Sequence, residues 1–130
     1  MKFKYKKFGS DVLRPVIPIE ITHNNLSVPY EVLIDSGADI CIFNMQIADV
    51  LGIDLLKGIK MQVSGITGFP QDIYIHTINI KISGKNYKID VGFIKMSNTS
   101  YGVVGQKGFF DIFVVKFDLV KKEVELKPRK

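Results

Sequence analysis

Apolar and polar positions alternate with a period of two along most of the chain, which predicts strands rather than helices. Ile17, Ile19 and Ile21 share parity, with Pro18, Glu20 and Thr22 between them. His23-Asn24-Asn25 supplies turn chemistry, and Tyr30 to Ile34 resumes an extended run. Val63 leads into a glycine-rich hairpin tip, Ser64-Gly65-Ile66-Thr67-Gly68, and Ile73 to Ile82 reads as a long strand. Ser83-Gly84-Lys85-Asn86 makes the next turn, followed by a strand from Tyr87 to Ile94. Towards the end Phe113, Val115 and Phe117 alternate with Val114, Lys116 and Asp118; Leu119-Val120-Lys121-Lys122 then turns into a last strand ending at Leu126. Within the long strand the apolar positions switch from odd (Ile73, Ile75) to even (Ile78, Ile80, Ile82). That switch predicts either a bulge or a strand that passes from one apolar environment to another. The helical candidates are short: Met45, Ala48 and Leu51 share one face before Gly52, and Lys107 to Asp111 has room for a single turn. Together these elements predict an all-β domain, a small closed barrel or sandwich.

Composition narrows the picture without changing it. The 130 residues suit one domain, 1–130, and 46% hydrophobic content is enough for a real core. No repeat or low-complexity linker interrupts the chain; only the basic ends, Lys2 to Lys7 and Lys127 to Lys130, look trimmable. The net charge of +5 favours anionic neighbours weakly. Lysines at 2, 4, 6 and 7 interleaved with Phe3 and Tyr5 suit phosphate tracking with base stacking, but equally an edge strand with one buried face. The edge strand is the reading we adopt, so no nucleic-acid partner is expected. One cysteine excludes an internal disulfide framework, and one Cys with two His cannot complete a four-ligand Cys/His zinc site, so no metal or cofactor is expected. No apolar run approaches the roughly 20 residues that span a bilayer, and Met1 to Lys7 leads into no signal-type apolar stretch. A soluble, cytoplasmic protein is the expectation.

One segment carries chemistry. In Val32-Leu33-Ile34-Asp35-Ser36-Gly37-Ala38-Asp39 an apolar strand runs directly into a carboxylate, a hydroxyl, a glycine and an alanine. Asp-Ser-Gly is also ordinary turn composition, so a strand ending in a polar turn is the competing reading of the segment taken alone. Asp35-Ser36-Gly37-Ala38 with its apolar lead-in resembles the active-site loop of retropepsins, the single-domain aspartic proteases. Two later segments match in the same order. Ser64-Gly65-Ile66-Thr67-Gly68-Phe69 resembles their flap tip, and Val103-Val104-Gly105-Gln106 resembles the apolar pair and glycine that pack behind the loop. The continuation to Asp111 resembles prokaryotic retropepsin-like proteins more than retroviral ones.

The resemblance implies a small closed barrel of the acid-protease type with a flap hairpin, working as an aspartic endopeptidase. It implies Asp35 as the catalytic carboxylate, Ser36 as a hydrogen bond across a dimer axis, and Gly37 and Asp39 as contacts to the substrate main chain. Gly65 and Ile66 would cover the cleft, and Val103 and Val104 would line a pocket or fill core. For Ser36 and Asp39 local turn capping is the competing role. No other Asp in the chain is followed by Ser/Thr-Gly, so one chain supplies half of a two-carboxylate site and a homodimer acting on a peptide or protein substrate is expected. A non-catalytic peptide-binding dimer of the same fold is the alternative.

Two positions and the length of the tail depart from the pattern. Gln106 stands where retroviral members usually carry Arg, and cannot offer a charged fork to Asp39. Thr67 occupies a tip position where glycine is common. The chain also continues well past Gly105, with Phe113 to Leu126 able to form a complete hairpin and a different dimer interface. A Cys/His hydrolase built on Cys41 with His23 or His76 is a poorer reading, because Cys41 between Ile40 and Ile42 looks like core.

Overall fold

A computed structural model describes residues 1–64, 68–97 and 101–129. The chain opens with three short strands, β1 (Lys2–Lys4), β2 (Lys6–Lys7) and β3 (Leu13–Arg14). It continues through β4 (Val16–His23), β5 (Leu26–Ile34) and β6 (Cys41–Asn44) into one helix, α1 (Met45–Leu51). Then follow β7 (Ile59–Ser64), β8 (Pro70–Ile82), β9 (Lys85–Ile94), β10 (Gly102–Val104), β11 (Phe113–Asp118) and β12 (Glu123–Pro128).

Six strands close on themselves. The sheet runs β4-β5-β10-β6-β9-β8, and β8 pairs back with β4 from Glu20↔Lys81 to Thr22↔Asn79, completing the barrel. β7 hangs on the outer edge of β8 as a seventh strand. The tight hairpins are legible from their turn residues. Asn24 and Asn25 both take positive φ (46° and 66°), as do Ser83 and Gly84 (48° and 81°), the backbone of a two-residue turn matched to strand twist. The β8–β9 turn is therefore shorter than the sequence suggests, because Lys85 and Asn86 already belong to β9.

The interior is filled by the alternating residues of β4 (Ile17, Ile19, Ile21), by Ile78, Ile80 and Ile82 of β8, and by Phe43, Phe93, Phe109 and Phe113, all buried in one cluster. Truncating one of these rings to Ala costs about 3–5 kcal/mol. α1 is set by its caps: the Asn44 Oδ1 accepts the Gln46 N–H at 3.1 Å, and Gly52, at φ 72°, ends the helix in the left-handed region. The Lys107–Asp111 segment is a run of hydrogen-bonded turns rather than a helix, with Gly108 at φ 103° breaking any helical path.

The parity switch in β8 has a clear cause. Its ladder with β9 runs in one register from Tyr74↔Phe93 to Ile82↔Lys85, so no bulge intervenes. Ile78, Ile80 and Ile82 point into the barrel, whereas Ile73 is buried outside that cluster, next to Gly92 on the neighbouring strand. The strand passes from the barrel interior to a second apolar surface, from which the β7–β8 arm projects.

The chain ends form a separate three-stranded sheet, β1-β12-β11. The basic N-terminus is not dispensable trim: Phe3 and Tyr5 pack against the core while Lys2, Lys4, Lys6 and Lys7 face solvent. This is the edge strand with one buried face. At the other end Lys127 and Pro128 belong to β12, which extends past Leu126.

Candidate active site

β5 carries Val32 and Ile34 into the core and delivers Asp35 at its end. β10 lies parallel beside β5, Gly102↔Val32 to Val104↔Ile34, and the Asp35 N–H continues that ladder by donating to the Val104 carbonyl at 3.0 Å. The acid is thus fixed by its backbone before any side chain acts. The loop then folds over its own carboxylate: the Gly37 N–H donates to Asp35 Oδ1 at 2.9 Å, and the Ala38 N–H to the Asp35 carbonyl at 3.2 Å. Asp35 is half-buried, and Ser36, Gly37 and Asp39 are exposed. The Ser36 hydroxyl has no hydrogen bond, and the Asp39 carboxylate no ion pair, among the described residues.

The loop is braced from behind by the chain that follows β10. The Gln106 and Lys107 N–H groups donate to the carbonyls of Ala38 (2.8 Å) and Asp39 (3.0 Å), and the Gln106 side-chain amide donates to the Ser36 carbonyl. The departure at Gln106 therefore does not leave the loop unsupported. A neutral amide takes a backbone carbonyl where a guanidinium would take a carboxylate, and Asp39 is left uncommitted. Gly105 makes this approach possible: a Cβ there would lie 2.4 Å from the Ala38 carbonyl oxygen and 2.7 Å from that of Ile40. Here glycine is required by contact rather than by backbone angle.

Cys41 lies under the same junction. Its Sγ accepts the Gly105 N–H at 3.4 Å and donates to the Lys107 carbonyl at 3.5 Å, and burial pushes the thiol up to about 11. A thiol so placed is protonated and packed, not nucleophilic. His76 serves structure as well, with Nε2 2.9 Å from the Leu55 carbonyl and its ring edge-on to Phe93.

A cleft runs between this floor and the β7–β8 arm, lined by Ala38, Asp39, Ile40 and Ile42 below and Met61, Val63 and Ser64 above. It continues into a smaller, mostly apolar recess formed by Ile40, Met61, Ile75 and Gly92, with Asp90 and Lys107 at its rim. Of the sequence-predicted contacts, Asp39 lines the cleft and Gly37 lies in the loop beside it. Val103 is half-buried, and Val104 is fully buried in the core cluster, so packing is the role its position supports. Gly65 and Ile66, expected at the flap tip, lie outside the described residues, as does Thr67. The cleft residues that sequence reasoning missed carry a readable signal: Ile40 and Ile42, like Met61 and Val63, are two apart and share a face.

Comparison with known proteins agrees with this geometry. A family model described as aspartyl protease matches residues 18–107. Curated protein sequences give no match. Among solved structures, a retropepsin-like aspartic protease from Rickettsia conorii superposes with a TM-score of 0.66 at 18% identity, covering 97% of this chain and 89% of that one. The retroviral protease-like domain of Ddi1 from Leishmania major gives 0.63 at 19% identity, covering 92% and 98%. EIAV protease in complex with the inhibitor HBY-793 gives 0.53 at 21% identity, covering 77% and 88%.

Proposed function

Because the chain belongs to the retropepsin-like aspartyl protease family and is an aspartic endopeptidase, we propose that its working unit is a homodimer in which two Asp35 carboxylates share one site. The observation that carries this reading is the loop itself: one carboxylate at the end of a buried strand, locked through its own N–H to Val104 and backed by Gln106. Peptide hydrolysis by acids alone needs two such groups, and each chain holds one.

Electrostatics assigns the roles. Two carboxylates about 3 Å apart repel by roughly 5 kcal/mol at an effective dielectric of about 20, so the pair keeps one proton over a wide pH range. The ionised member takes a proton from a water as its oxygen attacks the peptide carbon, and the protonated member donates to the carbonyl oxygen. The tetrahedral gem-diol then collapses: the newly protonated member gives its proton to the nitrogen, and the other takes one from a gem-diol hydroxyl. The C=O re-forms, the C–N bond breaks, and the pair again holds a single proton. Both fully ionised and fully protonated pairs are inactive, so activity follows a bell-shaped profile centred at acidic pH, its two limbs belonging to the pair.

The remaining parts follow from position. The exposed Ser36 hydroxyls reach across the axis and join the two loops. Gly37 and the uncommitted Asp39 hold the substrate main chain. The apolar cleft walls, Ile40, Ile42, Met61 and Val63, favour apolar side chains beside the scissile bond. The site keeps its acid, hydroxyl and glycine, and no feature of it favours the peptide-binding alternative.

The test is digestion of an unfolded protein or peptide library between pH 3 and 7 by the wild type and by Asp35→Asn. Cleavage by the wild type should be lost in the variant by about 10³-fold or more, with folding unchanged. Cleavage that survives the substitution overturns the carboxylate mechanism.

A further inference from the structure

Ile40 and Met61 are shared by the cleft and by the recess that continues from it, yet the two spaces differ in chemistry. The recess has a volume of about 90 Å³, several times what one water requires, so it has room for a side chain. Its walls are apolar: Ile40 from the floor, Met61 and Ile75 from the arm, and Gly92 from β9. Gly92 lies outside the left-handed backbone region that favours glycine, so its φ does not demand one. A Cβ there would meet the Ile73 and Ile75 δ-methyls at 3.0 and 3.2 Å. Glycine at this position keeps room in the recess.

Two opposite charges stand at the rim of this apolar space. Asp90, on β9, accepts the Thr77 hydroxyl through Oδ1 at 2.5 Å, which leaves its second oxygen available. Lys107 is fixed by its backbone: its N–H donates to the Asp39 carbonyl, and it bridges in parallel to Ile40. Its ammonium joins no ion pair among the described residues, with Asp90 or with any other acid. The recess therefore offers three N–H donors and a carboxylate oxygen, both exposed and neither neutralising the other.

Charge decides what suits such a rim. A carboxylate side chain gains Lys107 but meets Asp90, and an ammonium or guanidinium gains Asp90 but meets Lys107. In each case attraction and repulsion act across the same small space and largely cancel. A side-chain amide escapes the conflict. Its carbonyl oxygen accepts from the Lys107 ammonium while its NH2 donates to Asp90, two charge-assisted hydrogen bonds with no opposing charge. An apolar tip fills the walls and makes neither bond. Length selects glutamine over asparagine, because the additional methylene lies against the apolar walls while the amide stays at the rim.

We propose that the recess is a subsite for a glutamine side chain of the substrate, read by Lys107 and Asp90 together, at a position removed from the scissile bond. This inference rests on the reading of the cleft as the site of peptide hydrolysis. In the proposed homodimer the axis repeats the recess, so glutamine is favoured once on each side of the bond. The sequence hides the pair because Asp90 and Lys107 lie on different elements, and neither belongs to a motif.

Cleavage of a peptide library at pH 5.5, where peptide glutamates are ionised, maps the preference. Glutamine should be enriched at one position on each flank, and a peptide carrying it there should give kcat/KM about tenfold above its Glu and Lys counterparts. Lys107→Glu sets two acids at the rim and should turn the preference to Lys and Arg; Asp90→Lys sets two cations and should turn it to Glu. A wild-type profile without glutamine enrichment, or one that Lys107→Glu leaves unchanged, overturns the subsite and leaves the carboxylate pair standing. Binding of the same peptides to Asp35→Asn reads the recess without the chemistry. The glutamine peptide should bind about tenfold more tightly than its Glu and Lys counterparts. Equal dissociation constants overturn the subsite even where nothing is cleaved, whereas a wild type that cleaves no peptide counts against the carboxylate pair.

Discussion

The floor of the site and the arm above it are both strand ends, yet they are held in opposite ways. Around Asp35 the backbone is tied on two sides: Val104 takes the Asp35 N–H, and Gln106 and Lys107 reach the carbonyls of Ser36, Ala38 and Asp39. The arm is one ladder, β7 on β8 from Ile59↔Ile75 to Ser64↔Pro70, and every residue of β7 is exposed except the half-buried Val63. Few buried contacts mean low local stability, so the arm can open at little cost while the floor cannot shift without breaking several hydrogen bonds. The chain puts its rigidity where proton transfer needs geometry, and its freedom where substrates enter.

The contrast is sharpest at glycines. After Asp35→Asn, whose loss of activity is the largest effect expected, Gly105→Ala should cost about 2–3 kcal/mol in thermal or urea unfolding, because its Cβ meets two carbonyl oxygens of the floor. Gly68→Ala, in the arm at φ 77° with nothing within 4 Å of its Cβ, should cost only about 1 kcal/mol of backbone strain. Equal costs at the two positions would break the comparison. Met61→Asp places a charge in the apolar cleft and should raise KM about tenfold with unchanged melting temperature. A matching fall in kcat with KM unchanged would move Met61 from substrate binding to the chemistry.

Smaller effects probe the brace. Gln106→Ala removes one hydrogen bond to the loop and should lower kcat about fivefold, with KM affected less. Cys41 should resist thiol reagents at pH 8 in the folded protein. Its raised value also carries a stability signature: the contribution is fully present below about 9, the thiol's ordinary value, and is lost as pH rises through about 11. Rapid labelling at pH 8 would show that the junction behind the floor opens.

What the sequence revealed depended on the range of the signal. The β4–β5 and β8–β9 hairpins were legible because period-two alternation met residues suited to left-handed turns, Asn24-Asn25 and Ser83-Gly84. β6 and β10 were not, because they are short, deeply placed pieces, Cys-Ile-Phe-Asn and Gly-Val-Val, without polar alternation. The same brevity hid that they thread between β5 and β9 to close the barrel. Asp35 was legible since its motif is contiguous. The Gln106 brace was not, because it joins residues 70 apart and depends on a side-chain amide meeting a carbonyl. The N-terminus misled for a related reason: its lysines suggested a dispensable tail, while the docking of Phe3 and Tyr5 depends on a hairpin more than a hundred residues away.

The account turns on one chain being half of a catalyst, and the most direct measurement is specific activity against protein concentration, taken beside the dimer fraction from sedimentation at the same pH. Activity per chain should rise with concentration and saturate together with the dimer fraction. Activity per chain that stays constant down to concentrations where only monomer sediments would contradict it.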